Sequence, residues 1–209
     1  MSKDRGALQD HYGAGLLPAL LKVHPSRVNR HLFELALRGV SVADLAGPQI
    51  ISIDRSKAFD PAALLGAGWT IWKGPADGDG LSGANDEDER SCALTEADLS
   101  KILFADALKG KEMFITGEER VKRLKKAGHV RLDAGIFQFL WENRNRIPKS
   151  WEEKINGNIR YIFFDGTILR DPLGNRYALH LYCGASQWGR VYDWLGNNRG
   201  ASSPSVVLA

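Results

Sequence analysis

From Asn156 onward the chain is written in short apolar runs broken by turn signals, a grammar that restricts this part to paired strands. Asn156-Gly157 reads as a turn, and residues 159–164 form a run of β-branched and aromatic side chains. Asp165-Gly166 has the composition of a two-residue hairpin turn, so residues 167–170 are expected to pair back on residues 159–164. Asp171-Pro-Leu-Gly174-Asn175 predicts another turn, followed by a strand over 176–182 with Tyr177, Leu179 and Leu181 on one face. The last expected strands are 188–194 and 205–208. The expectation is an antiparallel meander with long terminal loops.

Residues 180–209 add a second constraint. Gln187, Trp188, Tyr192, Trp194, Leu195 and Pro204 read as scaffold posts that fix the backbone by burial. Between and before them stand Tyr182, Cys183, Gly184, Ala185, Ser186, Gly189, Arg190, Val191, Asp193, Gly196, Asn198, Arg199, Gly200, Ala201, Ser202 and Ser203. No helix or strand period is evident in those intervening residues, so they are read as exposed positions of loosely constrained identity. Exposed substitutions usually cost little, which lets such positions change without unfolding a frame.

Upstream, residues 7–46 look helical, with stripes at Leu16, Leu17, Leu20 and Leu21 and at Leu32, Leu35 and Leu37, broken at His24-Pro25-Ser26. The stretch 26–45 has a helix-turn-helix outline, and Arg27, Arg30 and Arg38 would be its DNA contacts; a plain helical hairpin with a solvated basic face explains the same residues. Residues 49–53 predict a strand, 61–65 a helical turn, and 68–75 a strand with Trp69 and Trp72 on opposite faces. The acid- and glycine-rich loop 76–90 lacks EF-hand spacing, because Ser82 stands where the invariant glycine would be. Residues 94–104 suggest a strand. Thr116-Gly-Glu-Glu119 is a capping box for a helix ending at Gly128, Asp133 caps a helix with the stripe Ile136, Phe137, Leu140 and Trp141, and Ser150-Trp-Glu-Glu153 repeats the capping pattern.

The fold class read from these elements is α+β: a helical region over 1–60, then a domain over 61–209 with two helices and the antiparallel meander. An apolar fraction of 44% and a net charge of +3 fit an ordinary globular chain without demanding a nucleic-acid partner. No apolar run is long enough to span a membrane, and the polar N-terminus has no signal region, so the expected location is cytoplasmic by default, with surface display as the alternative. Two cysteines and five histidines show no metal-ligand spacing, and no nucleophile elbow, P-loop or dinucleotide fingerprint occurs. No catalytic residue, metal or cofactor is therefore assigned.

A set of longer matches goes further. Trp69-Thr-Ile-Trp-Lys-Gly-Pro-Ala-Asp-Gly-Asp-Gly-Leu-Ser-Gly, Leu124-Lys-Lys-Ala-Gly-His-Val-Arg-Leu-Asp-Ala, Leu140-Trp-Glu-Asn and Ile162-Phe-Phe-Asp-Gly-Thr precede the posts of the tail and the final Pro204-Ser-Val-Val-Leu-Ala. Together they resemble the variable proteins of diversity-generating retroelements, of the type found in archaea and small uncultivated bacteria. The resemblance covers residues 69–209. It implies a C-type lectin fold whose variable region, about 180–209, is rewritten by adenine-directed miscopying. It also implies non-catalytic binding of an unknown protein or cell-surface ligand.

That implication meets a check in the residues. Randomised AAC codons become NNC, which never encodes Lys, Glu, Gln, Met or Trp. Every intervening residue belongs to the permitted set, Gln187, Trp188 and Trp194 fall only at posts, and no Lys or Glu follows Lys154. Tyr182, Arg190 and Arg199 are the strong anchors this copy would offer a ligand. Two rival readings stand beside this one: a nucleic-acid-associated protein using the N-terminal basic helices, and an oxidase like the formylglycine-generating enzyme, using Cys183 with His180 nearby.

Overall fold

The computed structural model describes residues 49–74 and 87–209. The helical reading of 7–46, with Arg27, Arg30 and Arg38, lies outside them, as does most of the acidic loop. Residues Ile50–Ala209 form one unit. The strand β1 (Ile50–Ser52) pairs antiparallel with β3 (Glu96–Asp98) inside that unit, so the boundary falls ten residues or so before the expected position 61.

The unit is mixed α+β and mostly sheet. Its elements continue as α1 (Pro61–Leu65), β2 (Thr70–Ile71), α2 (Glu89–Cys92), β4 (Leu103–Ala105), β5 (Phe114–Thr116), α3 (Gly117–Lys126), β6 (Val130–Arg131) and α4 (Ala134–Glu142). Then come β7 (Tyr161–Arg170), β8 (Arg176–Gly184), β9 (Gln187–Trp194), β10 (Asn198–Gly200) and β11 (Ser205–Leu208). A seven-stranded sheet has the order β4-β11-β7-β8-β9, with β2 added to β7 and β6 to β11. The final strand therefore does not trail at the end of a meander. It enters the middle of the sheet, parallel to β7 and antiparallel to β4 and β6, and Val206 and Val207 are wholly buried.

Two apolar layers cover this sheet. On one face Ile162, Phe164, Leu179 and Leu181 meet Ile136, Phe137 and Leu140 of α4, with the Phe137 and Phe164 rings edge to face at 5.3 Å. On the other, Phe163, Ile168 and Ala178 meet Trp72, Val121 of α3 and Leu195. Each such large side chain taken out of water contributes roughly 2–3 kcal/mol. The expected separation of Trp69 and Trp72 is seen, one packed on each layer.

Both main helices begin as their caps predict. Thr116 Oγ1 accepts from the Glu119 amide at 3.2 Å, and Asp133 accepts from the amides of Gly135 and Ile136. Glu119 does not close the capping box, because Arg123 one turn on holds its carboxylate at 2.7 Å. At residues 149–152 the chain makes a 3-10 turn whose start has no side-chain cap, so Ser150 does not serve as one. The expected strand over 94–104 is cut in two: the Asp98 side chain accepts from the Ser100 amide and folds Leu99–Lys101 into a 3-10 turn between β3 and β4.

The largest correction concerns Asp165-Gly166. It is not a hairpin turn, since β7 runs through it unbroken. Residues 165–168 form a wide bulge opposite the single residue Ala178, because Phe164 pairs with Leu179 and Leu169 with Tyr177. The bulge turns the Asp165 side chain into the protein. It also brings Gly166 against the β6–α4 junction, where the Gly166 amide donates to Leu132 O at 2.9 Å and the Asp88 amide donates to Gly166 O at 2.8 Å. A Cβ on Gly166 would sit 2.2 Å from Arg131 O, so close approach requires glycine here and turn geometry does not.

Candidate functional site

The site is built on the β8–β9 hairpin and the loops that follow. The hairpin turns on Ala185 and Ser186, both at positive φ (49° and 62°), with Gly184 paired to Gln187. Such backbone suits glycine or asparagine better, so this turn stores a small strain.

Strand pairing sorts the tail residues by face. His180 opposes Val191, Tyr182 opposes Gly189, and Ala178 opposes Asp193, so Gly189, Val191 and Asp193 share one face. Trp188, Arg190, Tyr192 and Trp194 oppose Cys183, Leu181, Leu179 and Tyr177 on the other. Posts and intervening residues thus alternate along β9 with the period of a strand, a regularity the sequence reading did not recognise. Two residues break the alternation: Arg190 falls on the post face, and the post Gln187 falls on the Gly189–Val191–Asp193 face.

The posts are less buried than expected. Leu195 is fully buried and Pro204 is buried, whereas Tyr192 and Trp194 are 41% and 47% exposed and Gln187 is exposed. The physical reason is that β9 is an edge strand, with a neighbour on one side only among the described residues. Tyr192 is still anchored, since Trp69 and Tyr177 meet its ring at 4.7 and 5.4 Å. Trp188 packs against the α4-side core. The rigid frame is supplied mainly by β7, β8 and β11.

Of the intervening residues, all but Arg199 are exposed or half-exposed. Arg199 is only 2% exposed, which corrects its reading as a surface anchor. It lies on β10 between Asn198 and Gly200, and the antiparallel pairing of β10 with β5 turns it inward. The other two anchors are also committed. Tyr182 lies across Gly189, where a Cβ would come within 2.4 Å of its ring, and Arg190 stacks 4.7 Å from the Trp141 ring on the opposite side of the sheet. Gly196 is likewise covered, by the Trp194 ring, so a side chain there displaces that tryptophan.

Beneath the Gly189–Val191–Asp193 face lies a floor of rings. His180 meets Phe163 at 4.6 Å, Tyr161 at 5.6 Å and Tyr182 at 6.4 Å. Below it is an ionic cluster that sequence reading missed. Fully buried Asp165 is bracketed by Arg120 Nε at 3.3 Å and Arg199 Nη1 at 3.2 Å, and it accepts from Ser205 Oγ. Arg120 also donates to Ser203 O, and Arg131 donates to Asp165 O. Burial alone would raise the Asp165 carboxyl, but Arg120 and Arg199 outweigh it and hold it below the ordinary aspartate range. A spacing rule could not have found this cluster, because Arg120, Arg131, Asp165, Arg199 and Ser205 come from five separate elements.

Burial pulls His180 down to about 4, with Arg199 and Arg120 adding to the effect and Asp193 and Asp165 opposing it. Its unfolded value is near 6.5, so between those limits the unfolded chain binds more protons and stability falls as pH falls. The expected loss between pH 6.5 and 4 is roughly 3 kcal/mol at most. Urea titrations across that range should show it for the native chain, and His180→Phe should flatten the slope. An unchanged slope in that variant would remove His180 as its source.

Cys183 and His180 do not form a pair. They are three residues apart on β8 and so face opposite sides of the sheet, and burial raises the Cys183 thiol. Burial, with Asp133 and Glu87 next, pushes the Cys92 thiol up to about 12. Among the described residues no three His, Cys, Asp or Glu side chains gather as a metal site. No described helix is long and apolar enough to cross a membrane. A cleft of about 840 Å³ opens on the α4 side, bordered by Phe59, Leu64, Phe139, Glu87 and Asp133, and Arg190 is the one intervening tail residue among its described borders.

The fold thus defines a mixed α+β domain with a mostly antiparallel sheet and a solvent-facing edge hairpin. Comparison with family models, with curated proteins and with solved structures gives no match.

Proposed function

We propose that the chain is a non-catalytic binding protein whose lectin-like C-terminal domain displays a surface diversified through a retroelement. One observation carries the reading. The residues that fit the NNC set are, Arg199 apart, exposed or half-exposed on an edge hairpin and its following loops, while the strands behind them are buried. A surface held by such a frame loses little entropy on binding, which is the logic of antibody loops. The partner is a protein or a cell-surface ligand.

Gene sequence tests this most directly. The codons for Tyr182, Cys183, Gly184, Ala185, Ser186, Gly189, Arg190, Val191, Asp193, Gly196, Asn198, Arg199, Gly200, Ala201, Ser202 and Ser203 should end in C or T. A near-copy repeat rich in AAC and AAT and a reverse transcriptase gene should lie nearby. Codons ending freely in A or G, with no such repeat, would end the proposal. This copy, with its anchors stacked or buried, is expected to bind arbitrary targets weakly. The nucleic-acid reading rests on Arg27, Arg30 and Arg38, outside the described residues.

A further inference from the structure

We infer that Arg199 fills a guanidinium-binding slot beneath the variable face, a site built to take an arginine side chain. The slot has two flat walls. On one side the Phe163 ring lies with its centroid 3.9 Å from Arg199 Cζ. On the other is Gly117, where an added Cβ would stand 2.7 Å from the same carbon, so a side chain at this position would push the guanidinium aside. A planar cation fits between a ring face and a bare backbone, and a tetrahedral ammonium fills such a space poorly.

The rim supplies matching acceptors. Nη1 faces Asp165 Oδ1 at 3.2 Å, Nε faces Asp193 Oδ2 at 3.2 Å, and Nη2 donates to Asp193 O at 3.2 Å. Charge balance depends on the occupant. Arg120 and Arg199 face Asp165 and Asp193, and the neighbouring Arg131 is paired with Asp88 at 3.7 Å, so the six charges sum to zero; without Arg199 one negative charge loses its partner. Such a deficit attracts a cation strongly in a poorly solvated site. Asp193 provides the way in, its side chain being 25% exposed while that of Arg199 is 1% exposed.

The inference deepens the proposed function and rests on it in one respect only. If position 199 is rewritten to a small residue, the slot stands open at the variable face and receives an arginine from the partner. In this copy the protein's own arginine occupies it.

Arg199→Ala tests the slot by chemical complementation. The full-length variant should unfold at lower temperature than the native chain. Methylguanidinium should restore part of the loss saturably, by roughly 3–6 °C at ten times its Kd. Methylammonium and tetramethylammonium chlorides at equal concentration should not. Native protein should not respond, and adding Asp193→Asn to Arg199→Ala should weaken the rescue at least tenfold in Kd. Equal shifts in native and variant chains, equal rescue by methylammonium, or no rescue would each overturn the assignment. If Arg199→Ala is unfolded alone, the reading becomes the return of a cooperative thermal transition with methylguanidinium, and its failure to return counts against the slot. This titration is independent of the codon test, so either proposal can fail without the other.

Discussion

Asp165→Asn should lower the stability of the domain by about 3–5 kcal/mol, the usual cost of removing one partner from a buried ion pair. The substitution keeps the size of the side chain and removes only its charge. Arg120 and Arg199, both almost without exposure, would then face each other across a neutral amide, with Asp193 the remaining acid nearby. For a domain of this size the thermal midpoint should drop on the order of 10 °C. The expectation discriminates sharply, because asparagine suits an exposed hairpin turn as well as aspartate does. A midpoint unchanged by Asp165→Asn would restore the turn reading and remove the ionic cluster. Arg199→Met in the same chain should recover part of the loss by removing one orphaned charge.

Gly166→Ala is expected to be at least as severe, more than about 3 kcal/mol, since it overpacks a site that cannot relax. The new Cβ would meet Arg131 O at 2.2 Å and the carbonyl carbon and oxygen of Leu132 at 2.5 and 2.6 Å. These are backbone atoms of the segment leading into α4, held there by the Asp133 cap and by hydrogen bonds of Gly166 itself. In a solvent-exposed hairpin turn, with the glycine at positive φ, the same change would cost about 1–2 kcal/mol. Urea denaturation of the purified variant distinguishes the two magnitudes. A loss near the smaller value would mean that β7 does not run through this point.

These two neighbouring residues show where sequence reasoning loses its hold. Asp-Gly between two apolar runs is a strong local hairpin signal. The structure overrides it because β7 already has partners on both edges: β8 on one, and β11 and β2 on the other. No room is left for residues 167–170 to fold back on 161–164, and the dipeptide serves as bulge and buried anion. The tail shows the converse. Its strand period was present at Trp188, Tyr192 and Trp194, but Arg190 on the post face and Gln187 on the other hid it.

Local chemistry by itself determined the helix starts at Thr116 and Asp133, the turns at Asn156-Gly157 and Asp171–Asn175, and the strands 176–182, 188–194 and 205–208. Each depends on neighbours a few residues away, through a cap, a backbone conformation or an alternation of apolar groups. Only the tertiary structure decided that the last strand lies in the centre of the sheet and that Arg199 points inward. Nor could anything short of it unite Asp165, Arg120, Arg199 and Ser205 in one cluster. Those outcomes depend on which distant segments share an edge and a face, and no pattern of period 2 or 3.6 records that.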